Sequence, residues 1–168
     1  MRELLEKYYR LLIRVSSSLQ SPFLLAVRLY WGWQFLETGW GKLTDIGKVT
    51  GFFTDLGIPA SALNAYFVSA LEFGGGVLLT LGLGSRLIAV PLVIDMLVAY
   101  VTADREALFS IFSNPDKFTA APPYTFLVAS LIVLIFGPGR FSLDALLAAR
   151  RGDRNVQSAV SDRSRVVV

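Results

Sequence analysis

The chain has 168 residues, of which 54% are hydrophobic and only 17% are charged, and its mean hydropathy is +0.55. These values are typical of an integral membrane protein and argue against an ordinary soluble domain. The sequence has no cysteine and no histidine, which excludes disulfides and thiol chemistry by this chain alone and removes the usual haem and zinc ligands. We therefore predict neither a metal site nor a covalently bound cofactor.

Residues 1–21 are predicted to form a cytoplasmic amphipathic helix that lies on the membrane surface. Apolar residues recur there at helical spacing, and charged residues occupy the other positions. The apolar set is Leu4, Leu5, Tyr8, Leu11, Leu12 and Val15, and the charged set is Glu6, Lys7, Arg10 and Arg14. The alternative is an ordinary cytosolic helix that packs against nothing.

Residues 22–147 are predicted to form an all-α integral membrane domain, a bundle of four transmembrane helices. A span needs about 20 mainly apolar residues, and four segments qualify: Pro22–Leu43, Asn64–Gly84, Arg86–Ala103 and Pro123–Leu143. We expect short interfacial helices in the two outer loops, one ending at Gly57 and one over Arg105–Phe112. Residues 148–168 are polar and Ser-rich from Gly152 onward, and we predict a disordered cytoplasmic tail.

The basic residues set the predicted orientation. Eleven of the 16 Lys and Arg residues fall on the side that holds both termini, four fall on the opposite side, and Arg28 lies within a span. Positive charge stays inside, so both termini are predicted to be cytoplasmic. Because the basic residues flank apolar segments without forming a continuous face, the net charge of +3 does not indicate nucleic-acid binding.

Ionisable residues within the spans are the candidate binding residues, because charge in lipid is costly and usually faces the bundle interior or a wet cavity. Arg28, Glu72 and Asp95 lie deep in the sequence of their spans, and Lys42 lies near the end of the first. From helical phase and depth we predict an ion pair between Arg28 and Glu72, shared with Asp95. It is either a functional site or a structural polar contact that fixes helix register.

Glu37 is predicted to face the side of Trp33 and Trp40, where it serves a partner subunit or the mouth of a cavity. Glu37, Glu72 and Asp95 are three carboxyl groups within the spans, whereas Arg28 is the one positive charge deep in a span. Burial disfavours the charged form, so we expect at least one of the three to be protonated at neutral pH. Such a group suits a proton-handling site, for example one beside a quinone.

The chain resembles the DoxX family, in the wider group that includes the small DoxD-like subunits of thiosulfate:quinone oxidoreductases. The resemblance covers about residues 22–147. Its motifs are Arg28 and Gly32, then Gly39-Trp40-Gly41-Lys42-Leu43, Phe52-Phe53, Leu56-Gly57-Ile58-Pro59, Glu72 with Gly74-Gly75, Leu81-Gly82-Leu83-Gly84-Ser85-Arg86, and Gly137-Pro138-Gly139-Arg140-Phe141-Ser142-Leu143-Asp144. Asp95 and Glu37 are less typical of that pattern.

The resemblance implies a multi-pass protein of the bacterial inner membrane that takes part in redox work, often beside a soluble partner. Our leading hypothesis is a subunit that binds a quinone near Arg28 and Glu72; whether it is itself an enzyme stays open. The alternatives are a small carrier, a membrane anchor for a soluble oxidoreductase, or a structural, lipid-interacting bundle. Under each hypothesis the chain could act as a dimer. A cavity that reaches Glu72 would favour the quinone-binding subunit. A dry core would favour the membrane anchor, and an aqueous path to both sides of the membrane would favour the carrier.

Overall fold

A computed structural model describes residues 2–150, with side chains from residue 4 onward, and within this part every regular element is a helix. In chain order they are α1 (Arg2–Thr44), α2 (Ile46–Asp55), α3 (Ser61–Leu81), α4 (Ser85–Thr102), α5 (Arg105–Phe109), α6 (Pro115–Ala120) and α7 (Pro123–Phe136). Residues 143–150 are helical again. The part of the predicted tail from residue 151 onward lies outside the described residues.

The closest helix pair is α1 with α3, and glycines make the approach possible. A Cβ added at Gly39 would overlap the backbone of Glu72 and Phe73, and one added at Gly76 would overlap the backbone of Gly32 and Leu36. Small residues at such crossings let two backbones come together inside a membrane. This contact fixes the antiparallel register of α1 and α3: Gly39 lies level with Glu72 and Phe73, and Gly32 lies level with Thr80.

The core lies where α4 and α7 pack against this pair. Phe35 and Leu79 meet Leu92, Met96 and Val133 in one buried cluster. A second, smaller cluster joins the end of α4 to the outer loop, where Tyr100 stacks on Phe118 and donates a hydrogen bond to its carbonyl at 2.8 Å. Short helices α5 and α6 are thereby held against the bundle.

Two helices, α3 and α4, are long and apolar enough to cross a membrane. Their bounds differ by one to three residues from the predicted segments Asn64–Gly84 and Arg86–Ala103. The predicted fourth span, Pro123–Leu143, is shorter than expected, because α7 ends at Phe136 after 14 residues. Gly137 follows at φ +80 and ψ −172, an extended conformation with positive φ that favours glycine, and the helix ends there.

The N-terminal segment is continuous with the first predicted span. Helix α1 runs for 43 residues through Pro22, so the expected boundary at residue 21 is not a helix end. Proline removes a hydrogen bond to the carbonyl of residue i−4, here Ser18, and the surrounding residues 16–20 are exposed, so water can solvate that carbonyl. The apolar residues 4–19 of this helix contribute many of the exposed large side chains of the protein.

Candidate functional site

A cleft of about 580 Å³ opens at the end of the bundle where α1 ends and α4 ends. Small-molecule sites commonly have volumes of about 300–1,000 Å³ and mostly apolar walls with a few polar groups. The ionisable groups among its partly or fully buried lining residues are Lys42, Glu72 and Asp95. The remaining lining residues are Lys48, Val49, Phe52, Phe53, Leu56, Ile58, Pro59, Asn64, Val68, Met96, Val98, Ala99, Thr102 and Ala103.

Helix α2 forms one wall because its apolar residues follow helical spacing. Val49, Phe52, Phe53 and Leu56 stand at i, i+3, i+4 and i+7, which places them on one face. The helix ends after Asp55, and Gly57, with φ +71, reverses the chain into α3. The short helix predicted to end at Gly57 is therefore confirmed, and it covers the cleft.

Lys42 and Glu72 form the ion pair at the base of the cleft. Lys42 Nζ donates to Glu72 Oε1 at 2.6 Å, and the two side chains are 35% and 4% exposed. Because Gly39 brings α1 onto the backbone of α3 at Glu72, the lysine one helical turn further on reaches the carboxylate. A nearly buried carboxylate needs such a partner, since charge without one is costly away from water.

Asp95 brings a second carboxyl group to the same cleft from α4. Its Oδ2 and the Oε2 of Glu72 are buried and have no hydrogen-bond partner among the described residues. Buried polar atoms usually have partners, so these two unpaired oxygens beside one ammonium group indicate a place for a polar ligand, which a side-chain rotation must first expose to the cleft. A carbonyl oxygen can accept from Lys42, and a hydroxyl can donate to either carboxylate.

Lys48 lies at the mouth of the cleft and pairs with Asp45, which precedes α2. The hydrogen bond from Lys48 lowers the pKa of Asp45, and the same bond raises the pKa of Lys48. Both groups therefore stay charged through neutral pH. Since both side chains are largely solvent-exposed, the ion pair positions Lys48 at the mouth of the cleft but contributes little to the stability of the fold.

The predicted ion pair between Arg28 and Glu72 is wrong. The guanidinium group of Arg28 lies beside Gly82, which is ten residues from Glu72, or about 15 Å along the helix axis at 1.5 Å per residue. Its side chain is 1% exposed, and Nη2 donates to the carbonyl of Phe141 at 2.6 Å. The prediction assumed that the midpoints of the two apolar segments lie at the same depth. The glycine contacts instead shift α1 relative to α3.

Glu37 takes no part in the cleft. Its side chain is exposed, as are those of Trp33 and Trp40 on the same side of α1, which agrees with the predicted direction. It does not line the cavity. The assignment of Glu37 to a partner contact stays a prediction.

The family motif residues beyond the cleft build the opposite end of the bundle. Asp144 accepts hydrogen bonds from the backbone N–H groups of Gly84 and Ser85, at 2.8 and 3.0 Å, where α4 begins. Arg86 donates to the carbonyl of Ile135 at 3.3 Å. The turn Gly137-Pro138-Gly139 connects α7 to this region. A Cβ added at Gly75 would meet the Leu92 side chain, whereas one added at Gly74 would meet nothing within 4 Å. These contacts indicate a structural role.

No group of three or more carboxylate, histidine or cysteine side chains that could hold a metal ion occurs among residues 2–150. The ligand types at the cleft, one ammonium and two carboxyl groups, instead suit hydrogen bonding to a polar organic group.

Sequence reasoning missed the α2 wall and the pairing of Lys42 with Glu72. The wall had a detectable signal, the i, i+3, i+4, i+7 pattern over Val49–Leu56. The pairing followed from the register of α1 against α3, and Gly39 and Gly76 were the residues that set it.

Comparisons with known proteins agree with the motifs. The model of the DoxX family matches residues 23–105. An uncharacterized membrane protein of Mycobacterium tuberculosis is 35% identical over 136 residues, covering 77% of this chain and 83% of the relative. No solved structure matches the chain significantly.

Two further relatives come from other bacteria. A Bacillus subtilis protein named "Putative oxidoreductase CatD" is 26% identical over 80% of this chain and 93% of its own length. The inner membrane protein YqjF of Escherichia coli is 28% identical over 77% of this chain and 95% of its own length. The similarity thus spans most of each relative.

Proposed function

The chain belongs to the DoxX family of membrane proteins, and we propose that its cleft binds the head group of a quinone as part of a membrane oxidoreductase system. The observation that carries this proposal is the placement of Lys42, Glu72 and Asp95 at the base of one apolar cleft. The name of the Bacillus subtilis relative supports a redox role.

The proposed chemistry uses this chain's own residues. The Lys42 ammonium donates a hydrogen bond to a ring carbonyl oxygen, and this interaction is strong because the donor is charged. Glu72 and Asp95 supply or accept the two protons that accompany two-electron reduction or oxidation of the ring, once a side-chain rotation presents their buried oxygens to the cleft. Since the sequence has no cysteine or histidine, we propose that a soluble oxidoreductase partner supplies or removes the electrons.

The packing below the cleft supports this function over that of a carrier. Phe35, Leu79 and Leu92 are each at most 2% exposed, and they fill the bundle between the cleft and the level of Arg28. The cleft therefore has no passage to the opposite end of the bundle in this conformation, whereas a carrier requires access from both sides of the membrane. The anchor and structural hypotheses expect a dry core, but here the cavity reaches Glu72.

We also propose the four-span arrangement, in which α1 from about residue 22, α3, α4 and α7 cross the inner membrane. Packing of α1 on α3 and of α4 on α7 supports it. Helix α7 is about 21 Å long at 1.5 Å per residue, shorter than the hydrocarbon core of about 30 Å. A short span is accommodated by local thinning of the bilayer at modest cost.

A titration of purified protein in detergent with dimethoxy-methyl-benzoquinone, a ring without a side chain, tests the proposed site. We expect saturable binding that Lys42→Met and Asp95→Asn each weaken at least about tenfold, since a hydrogen bond to a charged group contributes about 1.5–3 kcal/mol and 1.4 kcal/mol is tenfold. Glu72→Gln tests the third residue in the same way.

Glu37→Gln is the matched control, because Glu37 is an exposed carboxylate of α1 that does not line the cleft. It should leave the affinity within about twofold, with helix content unchanged in every variant by circular dichroism. Absence of binding to the unmodified protein, or equal affinities for all variants, would overturn the proposal.

A further inference from the structure

The cleft continues from its polar base into an apolar slot between α2 and α4. On α4, Asp95, Val98, Ala99 and Thr102 stand at i, i+3, i+4 and i+7 and line the cavity together. This face extends for seven residues, about 10 Å, from the polar base toward the end of the helix. The apolar face of α2 lines the opposite wall.

The slot is open on the side that faces the bilayer. Phe52 on α2 is 51% exposed and Val98 on α4 is 50% exposed, and both line the cleft. Helix α2 packs mainly on α3, which leaves its α4-facing side free. In the four-span arrangement proposed above, α4 crosses the membrane, and this arrangement would place the exposed side of Val98 against hydrocarbon. The rim of the slot is therefore apolar.

The volume of the cleft exceeds what a ring alone needs. A cavity of about 150 Å³ is enough to hold benzene, whereas the cleft measures about 580 Å³. The additional space is contiguous with the polar base and is lined mostly by apolar side chains. A ligand with a polar ring and a long apolar chain matches a cleft that has a polar base and a mostly apolar remainder.

We propose, resting on the quinone function proposed above, that the ligand enters sideways from the bilayer and that its isoprenoid chain lies in the slot between α2 and α4, past Val98. The ring then meets Lys42, Glu72 and Asp95, and the chain leaves toward lipid without crossing a polar surface. The substrate class is accordingly a lipid-soluble, chain-bearing quinone, in place of a water-soluble aromatic compound.

Val98→Trp tests this route, because the larger side chain fills the slot from its rim, and the chain-free ring measures any effect on the neighbouring Asp95. Val101→Trp is the matched control: Val101 is a similarly exposed valine of the same helix, at 56%, and it does not line the cleft. Both variants are reconstituted in lipid nanodiscs. They are titrated with dimethoxy-methyl-benzoquinone without a chain and with the same ring carrying a ten-carbon chain.

We expect Val98→Trp to weaken binding of the chain-bearing quinone about tenfold or more, because overpacking a filled slot is strongly unfavourable. It should leave the chain-free ring within about twofold, and Val101→Trp should leave both ligands within about twofold. If the ring binds but Val98→Trp affects both ligands equally or neither, the lateral route is wrong and the head-group site survives. If neither quinone binds the unmodified protein, both proposals fail.

Discussion

At the scale of single residues, the pairing of Lys42 with Glu72 is the contact on which the cleft depends. Glu72 is almost fully buried, while Lys42 is about one-third exposed. Losing the lysine leaves a buried carboxylate without a charged partner, whereas losing the carboxylate leaves an ammonium group that water can still solvate. The two single substitutions should therefore differ in cost.

We expect Lys42→Met to lower the free energy of unfolding by about 1–2 kcal/mol, the lower part of the range for an orphaned buried group, and Glu72→Gln to lower it less. The double variant should be more stable than the sum predicts, because residues in contact show coupling energies of about 0.5–3 kcal/mol. Equilibrium unfolding in mixed detergent micelles measures the free energy of unfolding of the unmodified protein, the two single variants and the double variant. Strict additivity would contradict the pairing.

Sequence reasoning identified all three residues at the base of the cleft but paired Glu72 with Arg28. Residue type and depth within a hydrophobic segment mark Lys42, Glu72 and Asp95 as costly in lipid. They do not say which helices are neighbours or how far one is shifted along the other. That information came from the contact of Gly39 with the backbone of α3.

At the scale of helices, the close contact of α1 with α3 is what sets the register. Gly39 and Gly41 lie two residues apart in α1, yet only Gly39 is buried against α3, and nothing lies within 4 Å of a Cβ added at Gly41. The two positions thus separate the packing effect of a methyl group from its effect on helix propensity.

Gly39→Ala should destabilise the protein by about 1–3 kcal/mol, since the added methyl group forces two backbones apart. Gly41→Ala should be neutral or stabilising by up to about 1 kcal/mol, because alanine favours helix over glycine. Unfolding in mixed detergent measures both variants, and binding of the chain-free quinone should weaken only in Gly39→Ala. Equal effects at the two positions would mean that the register is set elsewhere.

Helices α3 and α4 were predictable to within one to three residues because each is a nearly continuous apolar segment between glycine turns. The end of α7 was not, since Gly137-Pro138-Gly139 is followed by further apolar residues that extended the predicted span to Leu143. A short helix was predicted where α2 lies. Its position as a wall of the cleft was not predictable, because that position depends on tertiary packing.

At the scale of the whole molecule, the two ends of the bundle differ in kind. One end holds the cleft, α2 and the loop with α5 and α6, and the other holds Arg28, Asp144 and the turn after α7. Apart from Arg28, six lysines and arginines among residues 4–150 lie on the side of the second end and four on the side of the first. We therefore propose that the cleft opens at the outer side of the membrane and that both termini are cytoplasmic.

The absence of cysteine makes this orientation directly measurable. A single cysteine in place of Phe112, a 95% exposed residue between α5 and α6, should react with a membrane-impermeant maleimide in intact cells. A single cysteine in place of exposed Lys7 should react only after the cells are opened. The reverse pattern would contradict the proposed orientation, and with it the side on which the cleft opens.

The central claim is that a quinone lies in the cleft between α2, α3 and α4, and photo-crosslinking with an azido-quinone in nanodiscs tests it most directly. Peptide mapping should place the modification within 49–56 or 95–103, with labelling reduced by Lys42→Met and unchanged by Glu37→Gln. Modification confined to α7 or to the N-terminal part of α1, or labelling that both variants leave unchanged, would contradict the claim.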